Sequence, residues 1–521
     1  MDEEPVVLAS AATAGLAIDP VSRAKKHSYR DILKTSAMIG GSSVINLSIG
    51  MVRTKIMAVL LGPAGYGVMG AYILISELAS RVAQMGLNAS GVRQIAQSDA
   101  SKDAMQIART VTSLRRTSIA CGMLGAIALA VFSRPISTLT FGTSDHASSV
   151  AWLSLVVLVS VVAGSQSALL QGMRRIRDIA RLSIVSSLLS TAIGIPLIYV
   201  LGTDGLVPNL VAVATLSLAA SWWYSRKIKV SPPALSLVDW VQESTLLLKL
   251  GVAFMASAML MVGAAYAVRI IVLRKVGLDA AGAYYAAWTM GGLYIGLVLQ
   301  ALGTDCYPRL VRVAYEDQEC NRLVNEQAQV SLLLAVPGVL ITLTLAPLVI
   351  SLFYSAKFFP AVDVLRWICL GMAMRVLTWP IGFIVVAKNK QALFFAIDLA
   401  WTVVNIGLSW WCVEAFGVNG AGIAFFGSYI FHGLLVYPIV RRLSGFRWTA
   451  ANIKTATCSF IVIACVFIGM HVLPPAIATT FGIFATIASS YVSIRLLVHL
   501  VSPERLPRPI AHFLQLGRLA R

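Results

Sequence analysis

The sequence predicts an all-α integral membrane protein. About fourteen transmembrane helices form two six-helix bundles in parallel repeat, followed by an extra C-terminal helix pair. Three observations predict it. Of 521 residues, 58% are hydrophobic and only 12% charged, where soluble domains average about 25% charged; mean hydropathy is +0.79. Apolar runs near the ~20 residues that cross a bilayer recur along the whole chain. One long stretch is also used twice, far apart in sequence.

The chain opens on acidic residues and then Arg23, Lys25, Lys26 and Arg30. It lacks the continuous apolar core and small-residue cleavage site of a signal peptide, so residues 1–35 read as a disordered cytoplasmic tail. Apolar runs follow near 36–60, 66–88, 117–141, 149–172, 180–200 and 205–224, the first bundle (36–225). A linker over 226–245 contains Pro232-Pro233. The second bundle (246–442) holds runs near 246–273, 280–303, 329–353, 361–386, 391–413 and 418–440. The appended pair (443–500) spans 455–473 and 476–500, and a cytoplasmic tail, 501–521, closes the chain. Gly50, Pro196, Pro337 and Pro380 inside the runs are tolerated in membrane helices.

Loop charge tests this count. Lysine and arginine gather in cytoplasmic loops. With the N-terminus inside, every even-numbered loop is basic: Arg109, Arg115 and Arg116 after the second run, Arg174, Arg175 and Arg177 after the fourth, Arg226 and Lys227 after the sixth, Arg441 and Arg442 after the twelfth. The opposite loops 62–65, 142–148, 201–204, 414–417 and 474–475 hold no Lys or Arg, with Lys357 and Arg274-Lys275 the exceptions. The net charge of +19 is thereby assigned to loops rather than to a nucleic-acid surface. The seven cysteines include no CxxC pair, so neither a disulfide framework nor a metal site is expected. No nucleotide loop, cofactor motif or catalytic constellation is present either, so the expectation is a non-enzyme without cofactor.

The repeat sets the internal geometry. MVRTKIMAVLLGPAGYG and its sequel return as AVRIIVLRKVGLDAAG, in a register that one single-residue gap keeps constant. Val52-Arg53 matches Val268-Arg269, Gly62 and Gly67 match Gly277 and Gly282, and the turn Met173-Arg174-Arg175 matches Ala387-Lys388-Asn389. Six spans separate the copies, an even number, so both lie the same way up, related by an axis along the membrane normal.

Charges inside the spans mark candidate sites, since one at the bilayer centre costs about 2.5–3.5 kcal/mol on insertion scales. Arg53 and Arg269 occupy equivalent places without an acid at helical spacing. Either they face one cavity as a bidentate anion site or they snorkel to the interface. Glu77 and Arg81 are spaced i, i+4, as an internal ion pair or as a pair whose acid takes up a proton. Arg375 is a third cationic candidate for substrate and Arg81 a fourth. Asp398, with Glu77, is a candidate for ion coupling. Trp222, Trp223, Trp410 and Trp411 read as interface belts. Tyr284, Tyr285, Trp288 and Tyr294 read as packing or as faces for stacking sugars.

With these residues in place, VRTKIMAVLLGPAGYG, GLNASGVRQIA and LLQGMRRIRDIARLSI resemble O-antigen and polysaccharide flippases, the polysaccharide-transporter branch of the multidrug/oligosaccharidyl-lipid/polysaccharide flippase superfamily. The resemblance covers roughly 30–445. It implies a V-shaped pair of bundles like that of multidrug exporters of the superfamily. It also implies ATP-independent transfer of undecaprenyl-pyrophosphate-linked oligosaccharide across the bacterial inner membrane, with ion coupling. The partners implied are a polysaccharide polymerase and a chain-length regulator. In the related lipid II flippases, arginines of the first and seventh helices line the cavity, and Arg53 and Arg269 fall in matching places. Most of this branch stops after twelve helices, so the pair at 455–500 leaves the lipid II flippases open as an alternative. A cation-coupled multidrug exporter is a second one, against which the basic excess within the membrane counts. A membrane glycosyltransferase or polymerase would need a long outer loop or clustered acids, and the outer loops are short.

Overall fold

A computed structural model describes residues 20–100, 103–228 and 236–500. Positions 1–19 of the expected N-terminal tail, the C-terminal tail 501–521 and the Pro232-Pro233 part of the linker lie outside the described residues. The described chain is helical: α1 (Pro20–Gln84), α2 (Leu87–Ala100), α3 (Ala104–Val131), α4 (Ser133–Phe141), α5 (Ala147–Gly172), α6 (Ile176–Leu201), α7 (Leu206–Ser225), α8 (Leu237–Lys275), α9 (Leu278–Arg312), α10 (Asp317–Thr344), α11 (Ala346–Phe353), α12 (Ala361–Ala387), α13 (Gln391–Phe416), α14 (Asn419–Ser444), α15 (Ala450–Val472) and α16 (Pro475–Leu500).

Ten segments among the described residues are long and apolar enough to cross a membrane. Two of them, Ile45–Gln84 and Ile176–Ser225, are each broken into two arms, at Gly62-Pro63 and at the 3₁₀ turn Gly202–Gly205. With α8 and α9, long helices stand at each of the fourteen expected positions.

Three local differences from expectation have simple causes. The first helix reaches back to Pro20, so residues 20–35 are helical rather than a disordered tail. That stretch holds Arg23, Lys25, Lys26, Arg30 and Lys34, straight-chain residues that favour helix. The linker is shorter than 226–245, because Ser236 and Asp239 form a reciprocal capping box that starts α8 at Leu237. The expected runs 117–141 and 329–353 are each two helices, α3–α4 and α10–α11. Both chains turn before restarting on a first-turn proline, Pro135 or Pro347, where the missing N–H has no helical partner to lose.

The repeat is written into the backbone. Gly62 and Gly277 have φ of 64° and 116°, Arg174 and Asn389 have 51° and 56°, and Gly202 and Gly417 have 57° and 59°. All three pairs share one and the same spacing along the chain. A non-glycine residue at positive φ is strained, so a left-handed arginine opposite a left-handed asparagine shows one turn built twice, and it moves the expected match of Arg174 with Lys388 by one residue to Asn389. The packing repeats too: α3 on α5, α5 on α7 and α6 on α7 are matched by α10 on α12, α12 on α14 and α13 on α14. The appended α15 and α16 pack on each other and on α10. α1 crosses to α8 and α9, and α2 to α8; there the two bundles meet. Below, the basic face is the end carrying the basic loops and the bare face is the opposite end.

Candidate functional site

The bundle interface is pinched at both faces by glycine. At the bare face, a Cβ on Gly282 would overlap the Pro63 carbonyl oxygen, and one on Gly67 the Leu278 carbonyl oxygen. The two glycines are repeat-mates, so α1 and α9 touch backbone to backbone about the pseudo-axis. At the basic face, a Cβ on Gly86 would overlap Gly251, and one on Gly251 the Met85 carbonyl oxygen. Residues without side chains allow this closeness, and the interface is closed at both ends.

Cations lock the bare face in a reciprocal pattern. Lys55, on the first arm of α1, donates to the carbonyls of Ser351 (2.6 Å) and Tyr354 at the C-terminal end of α11. Arg274, on α8, donates to the carbonyl of Thr138 (2.5 Å) in the last turn of α4. α4 and α11 are repeat-mates, so each bundle sends one cation to the negative end of the other's short helix. Lys275 pairs with Glu414 and lies 3.8 Å from the Trp410 ring centroid. Both basic exceptions at residues 274–275 therefore have structural partners.

Of the predicted arginines, Arg269 crosses the bundle interface onto a tyrosine. Arg269 is 5% exposed. Its Nη1 donates to the Gly70 carbonyl across the interface at 2.7 Å, and its guanidinium carbon lies 4.2 Å from the Tyr285 ring centroid. Its Nε is buried with no hydrogen-bond partner among the described residues. Gly70 makes room for this: a Cβ there would stand 2.8 Å from Tyr285 Cδ1 and 3.1 Å from Arg269 Nη1. Tyr66 lies 5.1 Å from Tyr285 and 5.5 Å from Tyr354, centroid to centroid. Arg269 is thus a packed cross-bundle clamp in this closed state, not a side chain lining an open cavity, because the closed bare face seats it beneath Gly70. Arg53 is partly exposed. Glu77 and Arg81 form the expected pair at 3.6 Å, both about half exposed. Arg366 is held by Asp363 at 2.9 Å.

Arg375 and Asp398 both line a separate chamber inside the second bundle, about 340 Å³ in volume, between α8, α12, α13 and α14. Trp379, Trp401, Tyr429 and His432 share it. Trp401 Nε1, Thr402 Oγ1 and His432 Nδ1 are buried without hydrogen-bond partners among the described residues. Buried polar atoms are nearly always paired, so a bound water or a polar ligand would complete these three. Arg375 and Asp398 stood out in the sequence, whereas Trp401, Thr402 and His432 did not. The signal was available: 398, 401 and 402 share one face of α13, and 429 and 432 one face of α14. Tyr284 and Trp288 are packing residues, with Trp288 edge-on to Phe425 at 5.0 Å. Trp222 and Trp223 are 52% exposed and take Arg226 against their rings, as an interface belt does. Among the described residues no cluster of His, Cys, Asp or Glu has metal-binding arrangement.

Known proteins resemble this chain in sequence and in fold. The lipid III flippase of Escherichia coli strain K12 is 22% identical over 404 residues, covering 77% of this chain and 95% of that protein. The solved structure of the lipid II flippase MurJ in its inward closed conformation superposes with a TM-score of 0.62 at 14% identity, covering 88% of this chain and 99% of that one. An inward-facing multidrug resistance transporter of the MATE family, within the MOP superfamily, gives 0.60 at 16% identity over 77% of this chain and 98% of that one. The sequence profile of one family, described as polysaccharide biosynthesis protein, matches residues 56–363, more than half of the chain. The chain belongs to the polysaccharide biosynthesis protein family.

Proposed function

We propose that this protein is a flippase that carries undecaprenyl-pyrophosphate-linked oligosaccharide, an O-antigen or related repeat unit, across the bacterial inner membrane. The observation that carries the reading is the family match over the region that builds the parallel-repeat interface and its buried arginine. The basic face is cytoplasmic in this reading, with both termini inside. Arg53 and Arg269 receive the pyrophosphate when the bundles part and Tyr285 is uncovered; a guanidinium binds such an anion through paired hydrogen bonds and stays charged at any working pH. Arg81 is freed from Glu77 as the same interface opens, which adds a cation on the path. The polymerase and the chain-length regulator are the partners that would take the product.

The closed arginine clamp and the chamber then divide the work. In the closed state Gly70 and Tyr285 stand in for substrate at Arg269, so an empty carrier has a reason to stay shut. Arg375 and Asp398 sit away from that clamp, in the chamber with its unpartnered polar atoms, and Asp398 is the coupling carboxylate. Asp398→Asn should keep the fold and substrate binding but remove the dependence of transport on an imposed proton or sodium gradient. Flipping assayed with and without each gradient checks this; an unchanged gradient dependence would exclude Asp398.

The lipid tail has a place outside the interface. A groove of about 640 Å³ runs between α10, α15 and α16, with Lys454, Cys458, Phe481, Phe484 and Ala485 among its walls. It is apolar below and carries the Lys454 cation at its basic-face end, matching a polyprenyl chain with its phosphate at the interface. Ala485→Trp fills it, and should slow transport of the full-length polyprenyl substrate several-fold while leaving a short-prenyl analogue nearly unaffected. The same ratio for both lipids would remove the groove from the path.

An exporter of cationic drugs shares the fold but would need an acidic cavity, and Arg269 and Arg375 occupy the corresponding interior here. Deleting the gene in its host separates the two. Lipid-linked oligosaccharide trapped in the cytoplasmic leaflet, with surface polymer lost, supports the flippase. Normal surface glycan with altered drug sensitivity supports the exporter.

A further inference from the structure

A second polar site lies at the basic face, apart from both the arginine clamp and the chamber. A crevice of about 360 Å³ opens between α2, α3 and α8, walled by Arg93, Gln94, Gln97, Gln106, Thr110 and Glu243. Leu246 gives it a single apolar side. α2 and α3 belong to the first bundle and α8 to the second, so the crevice bridges the halves. Gln94 stands about two helical turns beyond Gly86, whose contact with Gly251 closes this face. Gln94 is 9% exposed, lines the crevice, and its Nε2 is buried without a hydrogen-bond partner among the described residues. Thr110 beside it is 3% exposed.

The wall chemistry defines the ligand. The carboxamides of Gln94, Gln97 and Gln106 each present a donor pair and an acceptor, which is the complement of vicinal hydroxyl groups. Arg93 and Glu243 cancel in charge, so the crevice does not select an anion. Among the described residues no aromatic ring lines it, so a nucleotide base has no stacking surface there. A volume near 360 Å³ is at the small end for ligand sites and suits one or two sugar rings. The Gln94 amide has no protein partner among the described residues, and a sugar hydroxyl entering the crevice supplies one.

We propose that this crevice is a glycan-docking subsite: it takes an uncharged sugar ring of the lipid-linked oligosaccharide at the cytoplasmic mouth. The proposal rests on the flippase reading given above. A sugar held between α2 and α8 ties together the two helices that meet at Gly86 and Gly251, so docking favours closure of the inner face behind the substrate. The crevice thereby reads the glycan, whereas the arginines read the pyrophosphate common to all such lipids.

The test is binding to the purified full-length chain in lipid nanodiscs, using two probes. One is the host's own lipid-linked oligosaccharide, extracted from cells lacking the gene; the other is bare undecaprenyl pyrophosphate. Wild type should bind the glycan-bearing lipid about tenfold more tightly than the bare one. Gln94→Leu should bring the two within about twofold of each other and leave the bare-lipid affinity unchanged. Gln97→Ala, at the exposed rim where folding is not at stake, should lower the preference in the same direction. Equal affinity of wild type for both probes overturns the subsite and leaves the flippase reading standing, as does a preference retained in both variants. Failure to bind either lipid overturns the flippase reading and the subsite with it.

Discussion

Replacing Gly282 with alanine should lower transport by about tenfold or more while leaving a folded, membrane-inserted protein. The new methyl meets the Pro63 carbonyl oxygen, and a backbone oxygen at a helix elbow cannot rotate aside. Overpacking of this kind costs roughly 1–3 kcal/mol, and it falls only on the state in which α1 and α9 touch. Since about 1.4 kcal/mol is a tenfold change in an equilibrium, the population shifts towards a parted bare face. A cysteine placed at Ala281, which is buried beside Gly282 in the closed state, should then react faster with a membrane-impermeant maleimide added outside. Gly67→Ala should act alike, because its methyl meets Leu278. Gly296→Ala, on the same helix with nothing within 4 Å, is the control and should transport normally. Wild-type rates in Gly282→Ala would mean that this contact does not limit the cycle.

Arg269→Gln should reduce transport about a hundredfold, with little loss of thermal stability. The two effects separate for a physical reason. In the closed state Arg269 is a desolvated cation held by one carbonyl and one aromatic face, with its own Nε left unsatisfied. A charge-assisted hydrogen bond contributes about 1.5–3 kcal/mol, but burying the cation offsets much of that. Removing it therefore leaves the fold near its original stability, while the open state loses its anion-binding fork. Arg269→Lys keeps the charge without the fork and should fall between, as the two cations differ in bidentate geometry. Flipping rates and melting temperatures of the three proteins measure this. A glutamine variant that melts far below wild type would make Arg269 a structural clamp alone.

What the sequence disclosed follows from what is periodic. Apolar runs and alternating loop charge located the helices, and the repeat matched Gly62 with Gly277, an elbow in both copies. Glu77 and Arg81 were legible as a pair because i, i+4 spacing brings two side chains to one helix face. The repeat placed Arg53 opposite Arg269. It did not disclose that a closed bare face would bury one of them under Gly70, since burial depends on how two bundles tilt. In the sequence Lys55 showed only as a charge inside a span, and Arg274 only as a basic exception among bare loops. Their targets are backbone carbonyls of α11 and α4, which have no residue signature. The chamber was half legible for the same reason: charged residues stand out in an apolar run, whereas Trp401, Thr402 and His432 show their role only when their polar atoms are found without partners.

The most direct test of the central claim is flipping in a reconstituted vesicle. Purified protein is placed in proteoliposomes with the host's fluorescently labelled lipid-linked oligosaccharide loaded in one leaflet, and a lectin or glycosidase added outside reports the glycans that arrive. The flippase reading predicts arrival without ATP, at a rate that scales with protein and falls about a hundredfold in Arg269→Gln. Arrival no faster than in protein-free vesicles, with the protein shown folded and inserted, would contradict it.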